Sequence, residues 1–469
     1  VETPSELLAL CPRAGSPAQA AALVERLGGD PLLCRLAAGY LTRVGEGTFT
    51  GYRTELLMRA GPPLDAAAGI ALDRLDDEGL GQACTLLRLL GVLPDAPVPY
   101  RLLLDPSLLA GSELFPRLTG PHLEALVDGL AALALITRTA PDVLSMDPQV
   151  RAFAESDGTG SGQRPAHIAL LATLIIEVPR AEVADAAVHV FRLVADESGD
   201  LDQVDKLANA CLHAGDGLAA AGRFAEARAL GSVVVDGARR LLGPAHERTF
   251  LGTVFLAGWT GHSGDPAAAY ALLRDLTAAP DPAAPDPAAP DPAAPDPEDT
   301  LVAFSNRAYW AAQAGDTVAA RDAYAALVPL RTDEQDLLLD RTELARWTGA
   351  AGDFAGARDL LTELIPEWIR LAGPDDPDVL TQRAELARWT GLAGDAVAAR
   401  DAFAELVSSG AGAELLYLRG ELAHWTGTAG DPATAHAMFA GLLPDFESIL
   451  GPDAEDTVAL RAAITRWAA

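Results

Sequence analysis

The chain has 469 residues, with 35 basic and 66 acidic side chains, a net charge of −31 and a hydrophobic fraction of 49%. That length suits about three domains, or fewer if part of it is a repeat array, and the apolar fraction is ample for buried cores. The negative field repels nucleic-acid phosphates and anionic membranes, so neither is an expected partner.

Lys206 is the only lysine; the other positive charges are arginines, which in an Ala-, Gly-, Asp- and Pro-rich chain reflects GC-rich codon usage. Cys11, Cys34, Cys84 and Cys211 form no CxxC pair, as expected for buried thiols in a reducing cytoplasm. No signal peptide is present, and no apolar run reaches the roughly 18 residues that span a bilayer. The chain begins at Val1 rather than Met, as expected of a fragment or processed product.

From Ser16, "SPAQAAALVERLGGDPLLCRLAAGYLTR" holds two helical patterns parted by Gly28-Gly29-Asp30-Pro31. The first helix should end at the glycines, and Pro31 fits the first turn of the second. Leu32, Leu33, Leu36, Ala37 and Tyr40 follow at helical period. Several helices later, "GPHLEALVDGLAALALITRTAPDVLSMDPQVRAFAES" predicts a helix and then two short strands, Ile136 to Thr139 and Val143 to Met146, joined by a turn. Helices followed by such a hairpin read as a winged helix over residues 65–158. The segment carries many carboxylates and no basic recognition helix, which favours a spacer or lid over a DNA reader. Residues 165–200 read as connecting helices.

From Leu201 the chain repeats itself. Taking the turn glycines Gly222, Gly264, Gly315, Gly352, Gly394 and Gly430 as marks, the intervals are 42, 51, 37, 42 and 36 residues. Five residues after each mark stands an alanine, from Ala227 to Ala435. Seven before each stands a small residue: Gly215, Ala257, Ala308, Ala345, Ala387 and Ala423. Each unit therefore predicts a helix, a tight turn and a second helix, crossing closely at the small residues. The Gly supplies the turn geometry, and the Asp that follows it in five units caps the second helix. Loops such as "AGPDDPDV" lengthen some units. One has grown into a proline-rich run from Pro280 to Thr300, predicted as a solvent-exposed or disordered polyproline II insertion; it is a slipped tract or a ligand for a proline-binding groove.

This pattern resembles the tetratricopeptide repeat, over residues 201–469. It departs from the usual motif in carrying Trp259, Trp310, Trp347, Trp389 and Trp425 two residues after the small position, and it stops in a seventh first helix at Trp467. The tryptophans read as packing between helices. In the tetratricopeptide register, the residue after the small one faces the groove: Tyr309, Arg346, Arg388 and His424. Such a row would suit an acidic or C-terminal peptide segment. Equally, Glu343 with Arg346 and Glu385 with Arg388 could be surface i,i+3 ion pairs worth a few tenths of a kcal/mol, on the order of 0.3.

The order of GxP helix, winged helix and repeat array resembles the C-terminal portion of STAND-class signalling NTPases with an NB-ARC-type core, as found in actinobacteria. Gly29-Asp30-Pro31-Leu32 matches the family's GxP motif, and the resemblance places Pro31 near the adenine of an upstream nucleotide site. Met146-Asp147-Pro148 sits where the family has Met-His-Asp, whose histidine reaches the nucleotide phosphate. Asp147 replaces that histidine, which puts nucleotide sensing by this winged helix in question.

The expected architecture is mainly α: a helical NTPase-associated subdomain (1–60), a winged helix (65–158), connecting helices (165–200) and a tetratricopeptide-like α-solenoid (201–469). No GxxxxGK[ST] loop, HExxH or GxSxG occurs, so no catalysis, metal or cofactor is expected in this chain. ATP or ADP would belong to a longer protein. The resemblance implies the sensor half of a nucleotide switch, with a protein or peptide ligand in the groove, an upstream NTPase or effector domain, and oligomerisation on activation. The alternatives are a stand-alone adaptor without a nucleotide step and the C-terminal part of a transcriptional regulator.

Overall fold

Helices open wherever a small polar residue precedes a proline or an apolar run. Thr3 caps α1 (Pro4–Leu10), and Ser16 and Gln19 form a reciprocal capping box on α2 (Pro17–Arg26). Asp30 caps α3 (Pro31–Val44) by accepting from the Leu32 and Leu33 amides at 2.8 and 3.1 Å, and Thr48 caps α4 (Phe49–Met58). The computed structural model describes residues 3–156, 162–277, 297–408 and 415–468. They fall into two units, divided along the chain between Trp259 and Thr260.

The first unit continues with α5 (Pro63–Asp77), α6 (Ala83–Gly91), strand β1 (Val98–Pro99), the short helices α7 (Tyr100–Leu103) and α8 (Pro106–Ala110), and α9 (Gly120–Ala132). Strands β2 (Thr137–Ala140) and β3 (Val143–Ser145) form the hairpin where the two β-prone runs placed it. The sequence did not foretell β1, which pairs antiparallel with β3 to give the order β1-β3-β2, with Val98 opposite Leu144. Asp147 caps α10 (Pro148–Glu155) through the Gln149 amide at 3.0 Å. At Gly39, α3 passes so close to the end of α9 that an added Cβ would lie 2.5 Å from the Ala132 carbonyl oxygen.

Two side chains close the end of α6. Arg151 of α10 donates to the carbonyls of Leu90 and Gly91, each at 3.3 Å, and to that of Leu93. His189 holds the Val92 carbonyl at 3.0 Å from α12 (Ala184–Leu193), which follows α11 (Arg164–Glu177). These bonds satisfy carbonyls that a helix end leaves open. After a π-turn, α13 (Leu201–Ala220) and α14 (Phe224–Leu241) form the first helix pair, and α15 (Glu247–His262) crosses the division between the units. Of the four cysteines, Cys84 is only half-buried and the others are buried.

In the second unit α16 (Pro266–Leu276), α17 (Pro297–Gln313), α18 (Thr317–Leu327), α19 (Glu334–Ala350), α20 (Phe354–Ala372), α21 (Pro377–Leu392), α22 (Ala396–Ser408), α23 (Leu415–Thr428), α24 (Pro432–Ile449) and α25 (Glu455–Trp467) each pack on the next. The turn glycines take positive φ, +97° at Gly352 and +111° at Gly394. Asp265, Asp316, Asp353, Asp395 and Asp431 all cap the helix that follows. The alanine five residues beyond each turn is fully buried in all six pairs. These pairs form a tetratricopeptide-like α-solenoid. Most of the proline-rich run lies outside the described residues. Its last four residues are a correction: 297–300 are the first turn of α17, because a helix tolerates proline at its first position.

The recurring "WTG" also acquires its reason. The tryptophan of one unit lies on the glycine two residues past the tryptophan of the unit before: Trp310 on Gly261, Trp389 on Gly349, Trp425 on Gly391 and Trp467 on Gly427. Trp347 is the exception. Its predecessor offers Ala312 rather than glycine, and Trp347 is only half-buried where Trp310, Trp389 and Trp425 are buried.

Candidate functional site

On an α-helix, residues seven apart stand about two turns apart on nearly one face. The residue one past each small position therefore shares a face with the residue seven before it. On α17, α19, α21 and α23 the first row is Tyr309, Arg346, Arg388 and His424; the second is Val302, Leu339, Thr381 and Tyr417. The sequence reading found only the first row. Val302, Leu339 and Tyr417 are 45, 45 and 48% exposed, unusual for large apolar side chains recurring at one offset. That recurrence was the available signal. Between the rows run the smaller Ser305, Thr342, Ala384 and Gly420, and a Cβ added at Gly420 would meet open space.

The face deepens between α21 and α23 into a groove of about 480 Å³. Thr381, Ala384, Glu385 and Arg388 line one side and Tyr417, Gly420 and Glu421 the other, above Phe403 and Phe446. The Tyr417 and Phe446 rings meet edge-on at 6.0 Å, and the Tyr417 hydroxyl donates to Asp456 at 3.0 Å, which raises its own pKa.

Neither arginine of the predicted row stands alone. Arg346 pairs with Glu343 at 3.2 Å and lies 4.8 Å over the Trp347 ring. Arg388 pairs with Glu385 at 3.2 Å and reaches across to Glu421 of the next unit at 3.4 Å. Glu421 also accepts from the Trp425 indole at 3.1 Å. The i,i+3 pairs are thus real, and Arg388 lines the groove as well. Tyr309 rests edge-on against Trp310 at 4.8 Å. His424 is half-buried against Trp425 and Trp467; burial lowers its pKa, Glu421 opposes that and Arg466 reinforces it. Of the four, only Arg388 lines this groove.

In the first unit Pro31 is exposed at the start of α3. Arg35, one turn on, lies 3.6 Å from Asp147, so a cation of α3 pairs with the residue that caps α10. Among the described residues no group of His, Cys, Asp and Glu could hold a metal ion, and no helix is long and apolar enough to cross a membrane.

No protein-family model matches the chain, and no curated protein matches it. Solved structures do. A Podosopora anserina kinesin light chain with nearly identical TPR-like repeats is 20% identical, over 45% of this chain and 94% of its own, with a TM-score of 0.32. A signal transduction ATPase with numerous domains and a tetratricopeptide-repeat sensor, from Pyrococcus horikoshii, is 10% identical over 99% of this chain and 69% of its own, with a TM-score of 0.37. The APC/C hetero-tetramer Cut9–Hcn1 is 12% identical over 99% and 92%, with a TM-score of 0.32. At such scores these are likenesses only, and the description of the repeats rests on the helix pairs themselves.

Proposed function

We propose that this chain is the regulatory and sensing portion of a STAND-type signal-transduction NTPase. In this reading the repeat groove binds a protein or peptide segment, and residues 1–60 and 65–158 pass that event to an upstream nucleotide switch of NB-ARC type. The observation that carries the groove is the face shared by α17, α19, α21 and α23, with its exposed apolar row and its cavity. The module order supports the rest. α5, α6 and α9 with the β1-β3-β2 sheet suit a winged helix whose β2–β3 hairpin is the wing. Glu124 and Asp128, with no Lys or Arg, on α9 disfavour DNA. The pairing of Arg35 with Asp147, which joins the helix opened by Pro31 to the residue after the hairpin, is consistent with this reading.

A ligand acts on such a switch only through its differential affinity for the open and closed arrangements. The chain itself contributes binding and transmission, not chemistry, in a cytoplasmic setting. The test is a photo-cross-linking residue placed in the natural protein, in its own cells, at Tyr417 or at Arg358 on the second helix α20. Adducts from 417 alone, lost in Gly420→Leu, which fills the groove, with helicity intact, support the groove. Adducts from 358 alone, or unaffected by that variant, put the site elsewhere.

A further inference from the structure

The groove between α21 and α23 also has a charge, and it is not the one its arginine first suggests. Glu385 and Glu421 both turn to the single guanidinium of Arg388, at 3.2 and 3.4 Å. The lining thus holds two carboxylates for one cation. His424, the next residue of the same row, adds no charge near neutral pH, since burial favours its neutral form. An acidic segment entering here would have to draw Arg388 away from two glutamates and then lie beside them. A cationic one would meet carboxylates with acceptor capacity to spare, because each can take about four hydrogen bonds.

The apolar part of the site lies directly beside that charge. Tyr417 is half exposed at the mouth, Ala384 and Gly420 leave room beneath, and Phe403 and Phe446 close the floor. Long cationic side chains lay their methylene stems along such surfaces while the charged head stays with its partners, and an aromatic face adds to the attraction.

Resting on the reading of this face as a ligand groove, we infer that its partner is a basic, apolar segment: a large apolar side chain seated on Tyr417, Ala384 and Gly420, next to a Lys or Arg whose head group is shared by Glu385 and Glu421. This reverses the acidic peptide suggested by the arginine row alone. The complementarity is local to two adjacent units, so a short segment suffices.

The test uses two labelled five-residue probes on the whole chain, read by fluorescence anisotropy at low and moderate salt. One alternates leucine, lysine, phenylalanine, lysine and leucine, and the other has glutamate for lysine. The lysine probe should bind more tightly and weaken with salt. It should lose at least tenfold in affinity in Glu385→Gln/Glu421→Gln, which keeps the acceptor for the Trp425 indole, and gain in Arg388→Met, which frees the glutamates. Preference for the glutamate probe, lost in Arg388→Met, would overturn the inference while leaving a ligand groove in place. Binding of either probe that is indifferent both to those variants and to Gly420→Leu, which fills the groove, would overturn the groove reading itself. So would no binding of either probe. Unchanged melting of each variant shows that the fold is not what was lost.

Discussion

The Trp389 indole lies over Gly349 of the preceding unit, so close that a Cβ on that glycine would stand 2.7 Å from the ring. The same contact joins Trp467 to Gly427, also at 2.7 Å, and Trp425 to Gly391. Glycine within a helix costs roughly 1 kcal/mol against alanine, so its recurrence here must be offset by what it admits. What it admits is a large flat side chain between one first helix and the next.

Replacing Gly349 or Gly391 by alanine should therefore destabilise the second unit, by about 1–3 kcal/mol, although each substitution improves helix propensity. Gly441→Ala is the control: its Cβ would meet open space within α24, and it should stabilise by roughly 0.5–1 kcal/mol. Urea unfolding of the three variants distinguishes the sign. Equal effects at 349 and 441 would mean that the tryptophan contact is not limiting.

Arg151→Met should cost about 2–3 kcal/mol of stability in the first unit, because it leaves the carbonyls of Leu90, Gly91 and Leu93 without their shared donor. Arg151→Lys should recover part of the loss, since all three bonds come from one guanidinium nitrogen and an ammonium also carries three donors. Thermal melts, with Arg164→Met as an exposed comparison, read the difference.

The first unit should also lose stability as pH falls from about 7 towards 5. Burial lowers the pKa of His167, opposed by its bond to Gln163 and by Thr85 and reinforced by Arg88. Burial likewise lowers that of His189, opposed by the Val92 carbonyl and Glu155 and reinforced by Arg192 and Arg151. Both imidazoles stay neutral when folded, while the unfolded chain takes up protons below about 6.5. The unfolded state thus binds more protons in the window between the ordinary and the lowered values, and stability falls with pH there. His167→Asn and His189→Gln, which keep a donor near each carbonyl, should flatten the slope. An unchanged slope in both would assign it to other groups.

How much of this could be read in the sequence depended on whether the signal was local. Helix pairs, turn glycines, Asp caps and the close crossings at Ala308 and Ala345 follow from spacing within one unit, and all of them stand in the structure. Partnerships between units do not. That Trp389 meets Gly349 depends on how one unit stacks upon another, so the tryptophans were legible as packing but not their seat. Strand β1 is two residues long, below any periodicity. Pro297 belonged by composition to the proline run, but by position it starts a helix. In the candidate site, Arg388 was found by register. The exposed partners Val302, Leu339 and Tyr417 were missed, because an apolar residue in an apolar-rich helix does not declare which way it faces. The second pairing of Arg388, to Glu421, joins two units and could not be read from either one.

The most direct measurement of the proposed role is the intact mass and nucleotide content of the natural protein purified from its own cells. A species well above the 48.7 kDa of this chain, with Val1 internal and ADP or ATP bound stoichiometrically, is the predicted result. A natural product of about this mass with no nucleotide would contradict the sensor of a nucleotide switch and leave a stand-alone adaptor.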